Sequence, residues 1–337
     1  MIIHNLSELK NRNFFVIIIG SGPAGISTAL KLEKKNINSL IIEAGNLEFD
    51  TNSSLFLDGD VIGNDTNDLT ISRVRRFGGT SSIWGGNCNP MTEYDFEGWP
   101  IKKNDLEKYE SESSKILNLK HKFYNEKFNV NLNIYNLAWS NVKFGEKYYK
   151  HIEKSKNIFL SMSTTFMNFF SNDGTIKQIE CKKNNINYKL NAKYFILSCG
   201  GIENSRLLLW SKYSNENLIN SKMPIGKYYM NHPYHFIGEG VLEYDNFFSF
   251  LRDAKIQNKP VLTCNNHIYI SANKKFLKKK NIPNSGIYIQ FKTVNKKNNL
   301  IKQLRCVAPK YVKNLYERIY AKDIYEIRIS TLQEQVA

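Results

Sequence analysis

The stretch from residue 14 to residue 25 reads FFVIIIGSGPAG and decides the fold. Its first half, Phe14 to Ile19, is a continuous apolar and largely β-branched run, which is typical of a strand buried on both faces of a parallel sheet. Residues 23–34 then carry apolar side chains at helical spacing, and a second apolar run, Ser39 to Ile42, ends at Glu43. The sequence therefore predicts a strand, a helix and a second strand, with a tight glycine turn after the first strand.

The glycine turn has the pattern G-x-G-x-x-G, which in this context is typical of a dinucleotide site. Gly20 permits the turn, Gly22 lets the backbone approach a pyrophosphate, and Gly25 lets the helix pack closely on the strand. The helix N-terminus favours phosphate, and an ionised Glu43 would accept hydrogen bonds from ribose hydroxyls. The alternative is an ordinary glycine turn with a surface glutamate. The candidate cofactor-binding residues here are Gly20, Gly22, Pro23, Ala24, Gly25, Glu43 and Ala44.

The motif alone serves both FAD and NAD. A reductase that passes electrons from a soluble nicotinamide to a flavin commonly carries two such fingerprints, and this chain has one. None of its cysteines forms a C-x-x-C pair that could receive electrons. These features favour a single, tightly held cofactor.

A second glycine cluster, RFGGTSSIWGGN at residues 76–87, follows the first. Its four glycines, interleaved with hydroxyl side chains, would let the main chain run against a flat ligand or a phosphate and donate N–H groups to it. Arg73, Arg75 and Arg76 would add positive charge beside that surface. The alternative is a glycine-rich surface loop. The candidate cofactor-binding residues here are Arg76, Gly78, Gly79, Thr80, Ser81, Trp84, Gly85, Gly86 and Asn87.

Composition limits the remaining possibilities. A chain of 337 residues with 42% hydrophobic and 13% aromatic residues should be globular, with about two domains. The net charge of +16 is spread along the chain without a nucleic-acid-binding motif, so we expect no nucleic-acid partner. The five cysteines favour a reducing compartment, and the apolar run at residues 14–19 is far shorter than the ~20 residues of a membrane helix. We expect neither a signal peptide nor a membrane span, and a cytoplasmic location.

The rest of the chain predicts further elements in a mixed arrangement. The first dozen residues read as a short polar leader, residues 101–117 as a helix whose Leu106, Tyr109 and Ile116 pack inward, and residues 194–199 as another buried strand. Residues 158–170, 176–182 and 188–190 predict a small meander, and the chain after residue 233 alternates in aromatic-rich stretches at 247–251, 267–270 and 287–291. We therefore expect an α/β, doubly wound dinucleotide-binding domain over residues 1–235, with a helical excursion at about 98–155, and a β-rich substrate domain over residues 236–337.

Several motifs, in order, resemble the glucose-methanol-choline (GMC) oxidoreductases, particularly their bacterial sugar- and polyol-oxidising branch. The resemblance spans about residues 14–235. It is specific for the family and uninformative about the substrate. The residues that carry it are the cluster at 78–86, Gly98-Trp99-Pro100, Trp139-Ser140 with Phe144-Gly145, FILSCGGIENSRLLL at 195–209, and residues 226–233 ending in Asn-His-Pro.

The resemblance implies FAD as cofactor, a Rossmann-like FAD-binding domain, and oxidation of the CH–OH group of a small alcohol, sugar or polyol with hydride transfer to the flavin. The electron acceptor would be oxygen, a quinone or a cytochrome. The resemblance also places Gly200, Gly201 and Glu203 where a strand end and a helix start return to the cofactor. It places the backbone of Phe166 against the adenine, although an ordinary core aromatic is an equal alternative. Cys199 fits a small core residue better than a nucleophile.

The catalytic residues are the missing part of the pattern. The family's catalytic His lies in a final segment, and LQEQVA at residues 332–337 resembles the sequence just before it. We therefore expect a truncated chain whose catalytic residues are unknown. The competing interpretations are a non-catalytic FAD-binding remnant and, less favoured by the second glycine cluster, an NAD-dependent dehydrogenase. His232 and His235 lie close together, but a metal site needs further ligands, so we predict no metal.

Overall fold

The computed structural model describes residues 1–9, 12–62, 68–89, 91, 93–119, 125–135, 138–172, 174–220, 222–229, 234–243, 267–282, 285–293 and 324–333. The chain divides into two compact units, one of residues 1–85 and 141–229 and the other of residues 86–140 and 230–337. The second unit includes residues 86–140, which the sequence pattern predicts to lie in the first domain. Within the described ranges, no helix has the length and apolar character to cross a membrane.

The first unit is built on a six-stranded sheet with the order β7-β2-β1-β10-β9-β8. Strands β7, β2, β1 and β10 are parallel neighbours, and β8, β9 and β10 form an antiparallel meander. The chain passes from β1 to β2 on one side and returns later as β10 on the other side, so the switch point lies between β1 and β10. The predicted doubly wound α/β fold is confirmed. The strands are β1 (Phe14–Ile19), β2 (Ser39–Ile42), β7 (Ile158–Ser161), β8 (Thr165–Asn172), β9 (Thr175–Lys183) and β10 (Ile186–Leu197).

Five helices belong to the described part of the first unit, and the first of them matches the sequence prediction. They are α1 (Pro23–Glu33), α2 (Thr51–Ser54), α3 (Leu69–Ser72), α6 (Phe144–Lys154) and α7 (Gly201–Ser214). Short 3-10 turns lie at Leu6–Leu9, Leu55–Leu57, Gly79–Ser82 and Glu216–Leu218. The predicted polar leader is wrong, because Ile3, Leu6 and Leu9 are buried in the main hydrophobic cluster.

Strand β10 differs from the prediction of two separate strands. Residues 186–191 pair antiparallel with β9, and the remainder pairs parallel with β1, so one long strand joins the meander to the parallel sheet. The predicted burial of residues 194–199 is only partly correct. Tyr194 is 51% exposed, and its ring contacts that of Phe15, which is also exposed.

The second unit contains a six-stranded antiparallel sheet with the order β11-β14-β13-β12-β5-β4 and a two-stranded ribbon of β3 and β6. Its strands are β3 (Asn87–Cys88), β4 (Asn125–Lys127), β5 (Leu132–Tyr135), β6 (Ala138–Trp139), β11 (Tyr234–Glu243), β12 (His267–Ala272), β13 (Ser285–Thr293) and β14 (Ile324–Gln333). Its helices are α4 (Lys103–Glu107), α5 (Glu110–Ile116) and α8 (Lys274–Lys280), with a 3-10 turn at Glu93–Phe96.

The predicted helix at residues 101–117 is therefore two short helices that meet at Lys108 and Tyr109. Leu106 and Tyr109 are 40% and 45% exposed rather than packed inward. The predicted strands at 267–270 and 287–291 lie inside β12 and β13. The predicted strand at 247–251 lies outside the described residues.

Candidate functional site

The glycine turn after β1 lies at the switch point of the first unit. Gly20 has φ of +97°, which favours glycine, and its N–H donates to Ile42 O at 2.9 Å. Ser198, just past β10, donates from its N–H to Ile19 O and from its hydroxyl to Gly20 O, both at 2.8 Å. The ends of β1, β2 and β10 are thus joined at the turn. This is the place where open α/β sheets bind ligands.

The three fingerprint glycines have different neighbours. A Cβ at Gly25 would lie 2.1 Å from Gly20 O, and a Cβ at Gly20 would lie 2.8 Å from Ser198 O, so the protein itself requires both glycines. A Cβ at Gly22 would meet only Ser198 O, at 3.7 Å, which is an ordinary contact. Packing against the described residues therefore does not explain Gly22, and the open space beside it fits the close approach of a ligand.

Two helix N-termini belong to the strand ends that meet here. Helix α1 begins after Gly22 and α7 begins after Gly200, and neither N-cap has a side-chain hydrogen bond. Pro23, Ala24 and Gly201 are exposed in these first turns. Free N–H groups and the positive end of the helix dipole are suited to phosphate. Gly200 has φ of +87°, so the turn into α7 also favours glycine.

Glu43 follows β2 and is 7% exposed. Its Oε2 accepts from the N–H of Ser21 at 2.9 Å and from the Ser21 hydroxyl at 2.6 Å, and its Oε1 accepts from the N–H of Gly45 at 2.7 Å. An ionised carboxylate has about four acceptor positions, so three are used by the protein itself. The surface-glutamate alternative is wrong. Glu43 is a fixed acceptor with capacity for one further donor.

The second glycine segment lies against the first. The N–H of Gly78 donates to Ser21 O at 3.2 Å, and a Cβ at Gly79 would lie 3.1 Å from Gly22 Cα. The hydroxyl of Ser81 donates to Gly78 O at 2.7 Å and accepts from the N–H of Phe144 at 3.1 Å. Gly78 and Ser81 are buried, so this segment is not an ordinary surface loop. The sequence predicted both glycine segments, and the structure brings them together.

The other candidates of this segment are placed differently. Thr80 is exposed, and its hydroxyl accepts from the N–H of Val74 at 3.2 Å. Trp84 Nε1 donates to Val142 O at 2.9 Å, which ties the ring to the chain before α6, and Gly85 is exposed. Gly86 and Asn87 belong to the second unit, where a Cβ at Gly86 would lie 2.1 Å from Ser140 O and Asn87 pairs with Trp139.

The arginines of residues 73–76 mostly bind the protein itself. Arg73 pairs with Glu203 at 3.1 Å and donates to Leu57 O at 2.5 Å. Glu203 also accepts from Arg206 at 2.8 Å. Glu203, predicted to face the cofactor, is therefore engaged by two guanidinium groups. Arg76 Nη2 donates to Leu47 O at 2.6 Å, but its buried Nε has no partner among the described residues.

A cleft of about 410 Å³ lies just past the end of β2, with Ala44, Arg75 and Ser163 in its lining. Arg75 donates to the hydroxyls of Ser53 and Thr165, both at 3.0 Å. Burial lowers the pKa of Arg75 below its usual value, although Glu43 and Glu203 oppose this effect.

Phe166 follows Thr165 in β8. Its side chain is buried in the hydrophobic cluster, with its ring centroid 4.6 Å from that of Phe169. The side chain is therefore a core aromatic. The predicted backbone contact with adenine stays a prediction.

Sequence reasoning missed the residues that hold this cleft and Glu43 in place. The N–H of Ser163 donates to Gly45 O at 2.9 Å, and the N–H of Thr164 donates to Glu43 O at 2.8 Å. The buried Lys183 Nζ donates to Ser161 Oγ at 3.1 Å and to Met162 O at 2.6 Å, and burial lowers its pKa. These contacts join residues far apart in the chain, and no local pattern signals them.

The cysteines and histidines add no nucleophile or base to the described site. Burial raises the pKa of Cys199 to about 12, which agrees with its expected role as a small core residue. His151 contacts Glu33 at 2.5 Å, and His235 is exposed in the second unit. His232 lies outside the described residues. Within the described part of the chain, no group of three or more His, Cys, Asp or Glu side chains is arranged to hold a metal.

No family model and no curated protein matches the chain. Among solved structures, it is similar to pyridoxine 4-oxidase from Mesorbium loti, with 14% identity and a TM-score of 0.46 over 69% of this chain and 59% of that one. A formate oxidase has 14% identity and a TM-score of 0.47 over 95% of this chain and 73% of that one. A fungal aryl-alcohol oxidase has 13% identity and a TM-score of 0.41 over 67% and 53%. The chain thus spans little more than half the length of two of these three proteins.

Proposed function

We propose that the first unit binds FAD at its switch point and that the chain is the cofactor-binding part of a flavoprotein oxidoreductase of the GMC type. The observation that best supports this proposal is the open space beside Gly22. Packing against the described residues gives no reason for that glycine, and it sits at the uncapped start of α1 beside the second glycine segment. A ligand with a pyrophosphate supplies the missing reason.

Each part of FAD has candidate residues in this unit. The N-terminus of α1 would hold the pyrophosphate, and Glu43 would accept from a ribose hydroxyl with its remaining capacity. The cleft beside Ala44 would receive the adenosine end of the cofactor. The N-terminus of α7 and the segment at Gly78–Ser82 would line the path towards the flavin.

The proposed reaction is oxidation of the CH–OH group of an alcohol, sugar or polyol. FAD supplies the capacity to accept a hydride from the donor carbon. The residues of this unit contribute binding and orientation. The motif resemblance supports the donor class, and the names of the similar structures are those of oxidases.

A second candidate is an FAD-binding chain that does not itself oxidise a substrate. Alcohol oxidation needs a base for the hydroxyl proton, most often a histidine. Among the described residues of the first unit, His4 is exposed and His151 is engaged by Glu33. This observation favours a binding role for the described part of the chain.

The visible absorption spectrum of the purified chain, before and after incubation with FAD and gel filtration, tests the binding proposal. We expect retained flavin absorption, and no comparable retention of NAD. A chain that neither carries flavin nor retains added FAD would contradict the proposal. Reduction of an artificial acceptor by a panel of alcohols and sugars then separates the two candidates, because only the enzyme produces turnover.

A further inference from the structure

Ser21 occupies a variable position of the fingerprint, between Gly20 and Gly22, and is completely buried. Its N–H and its hydroxyl both donate to the same oxygen of Glu43, Oε2, at 2.9 and 2.6 Å. The turn itself does not need a hydroxyl at this position, since the fingerprint admits any residue there. The hydroxyl therefore makes a contact that the turn itself does not require.

The same residue also contacts the second glycine segment. The N–H of Gly78 lies 3.2 Å from both the carbonyl oxygen and the hydroxyl oxygen of Ser21. A serine hydroxyl has one donor and two acceptor positions, so it can donate to Glu43 and accept from Gly78 at once. Ser21 is the described residue that joins the glycine turn, the carboxylate and the second glycine segment.

The contacts of Ser21 determine where the remaining acceptor capacity of Glu43 points. A buried carboxylate that accepts from fixed N–H and O–H donors keeps one orientation, because its hydrogen bonds to ionised groups are short and strong. The N–H of Gly45, two residues after Glu43, donates to the other carboxylate oxygen, Oε1, and fixes that oxygen as well. Without the hydroxyl, Oε2 would keep only the backbone donor, and the carboxylate could turn away from a ligand.

We propose that Ser21 is a positioning residue that orients the Glu43 carboxylate for a ribose hydroxyl of the bound dinucleotide. This inference rests on the proposed function. It predicts that Ser21 affects affinity through Glu43 and only for ligands that carry ribose hydroxyls.

The test is a double-mutant cycle on the affinity of the 337-residue chain for FAD. Binding is measured by the change in flavin fluorescence. The variants are Ser21→Ala, Glu43→Ala and the double variant. Ser198→Ala is the matched control, because its hydroxyl fastens the same turn through Gly20 O without touching Glu43. We expect Ser21→Ala to weaken binding about tenfold or more, as for the loss of a hydrogen bond to a charged group.

The effects of Ser21→Ala and Glu43→Ala on the free energy of FAD binding should not be additive. We expect the double variant Ser21→Ala with Glu43→Ala to bind FAD within about twofold of Glu43→Ala alone. The fold-losses in FAD affinity caused by Ser198→Ala and by Glu43→Ala should instead multiply when the two substitutions are combined. If the fold-losses of Ser21→Ala and Glu43→Ala also multiplied in their double variant, the inference would be overturned while the proposed FAD site remained. No binding of FAD by the unmodified chain would overturn the proposed function itself.

A second measurement decides the matter if Glu43→Ala does not fold. ADP and an ADP analogue that lacks both ribose hydroxyls are compared as competitors of FAD. From these titrations, the dissociation constant of each competitor is obtained with the weaker FAD affinity of the variant taken into account. Ser21→Ala should raise the dissociation constant of ADP about tenfold and leave that of the analogue unchanged within about twofold. An equal loss for both ligands would assign Ser21 a merely structural role and overturn the inference.

Discussion

Gly22→Ala separates the needs of the protein from those of its ligand. Gly22 has φ of −66°, which alanine adopts freely, and the new Cβ would lie 3.7 Å from Ser198 O. The smaller entropy of the unfolded chain would stabilise the variant by about 0.4–1 kcal/mol. Alanine is a poorer N-cap than glycine, by roughly 0.5–1 kcal/mol. The two effects nearly cancel, so we expect the free energy of unfolding to change by less than about 1 kcal/mol.

The effect on binding should be much larger. A Cβ in the open space would keep a pyrophosphate away from the first N–H groups of α1, and each charge-assisted hydrogen bond contributes about 1.5–3 kcal/mol. The loss of one or two such bonds lowers the affinity for FAD by at least about tenfold.

Urea unfolding and titration with FAD measure the two quantities on the same sample. Gly59→Ala is a matched control, because among the described residues its Cβ would meet only Leu69 Cδ1, at the ordinary contact distance of 3.6 Å. It should leave both quantities nearly unchanged. If Gly22→Ala bound FAD as tightly as the unmodified chain, the assignment of the open space to the pyrophosphate would be refuted.

Three further predictions follow from the first unit. Gly25→Ala should lower the free energy of unfolding by about 1–3 kcal/mol or more in urea titrations, because its Cβ would lie 2.1 Å from Gly20 O; an unchanged midpoint would contradict the packing. Burial raises the pKa of Cys181 and Cys199 to about 12, so both should resist iodoacetamide at pH 8 in the native state and react only after unfolding, as mass spectrometry would show. Burial alone would raise the pKa of Glu33, but contacts with Ser155 and His151 lower it, so Glu33→Gln should destabilise the chain by about 0.5–1 kcal/mol at pH 7 and by progressively less as the pH falls through that lowered pKa; a constant difference down to pH 2 would contradict it.

The elements that follow from local sequence were predictable. The strand at Phe14–Ile19, the helix from Pro23 and the strand at Ser39–Ile42 each depend on a pattern that lies within one element. The positive φ of Gly20 and the close contact of Gly25 with Gly20 O also follow from the motif, since both concern backbone atoms within the turn itself. The candidate glycine site was therefore predictable in its main chain.

The contacts that complete the site were not predictable, because they join distant parts of the chain. Ser198 reaches the turn at Gly20 across the switch point, and Lys183 supports the segment beside Glu43 from another strand. Periodicity describes one element at a time and contains no information on which serine or lysine meets which turn. The buried start of the chain was missed for the same reason, since Ile3 pairs with Leu160 far along the sequence.

The charges of the arginines at residues 73–75 are largely engaged by the protein itself, so an anion bound at the switch point would meet little free positive charge. Arg73 and Arg75 were predicted to face the ligand, but Arg73 is held by Glu203 and Arg75 by two hydroxyls. A phosphate at this switch point would therefore be bound chiefly by backbone N–H groups and by the uncapped ends of α1 and α7. Such donors act only at short range, so the main chain itself must come within hydrogen-bond distance of the ligand. On the proposed function, that requirement would account for a glycine at position 22, where packing against the described residues alone would accept alanine.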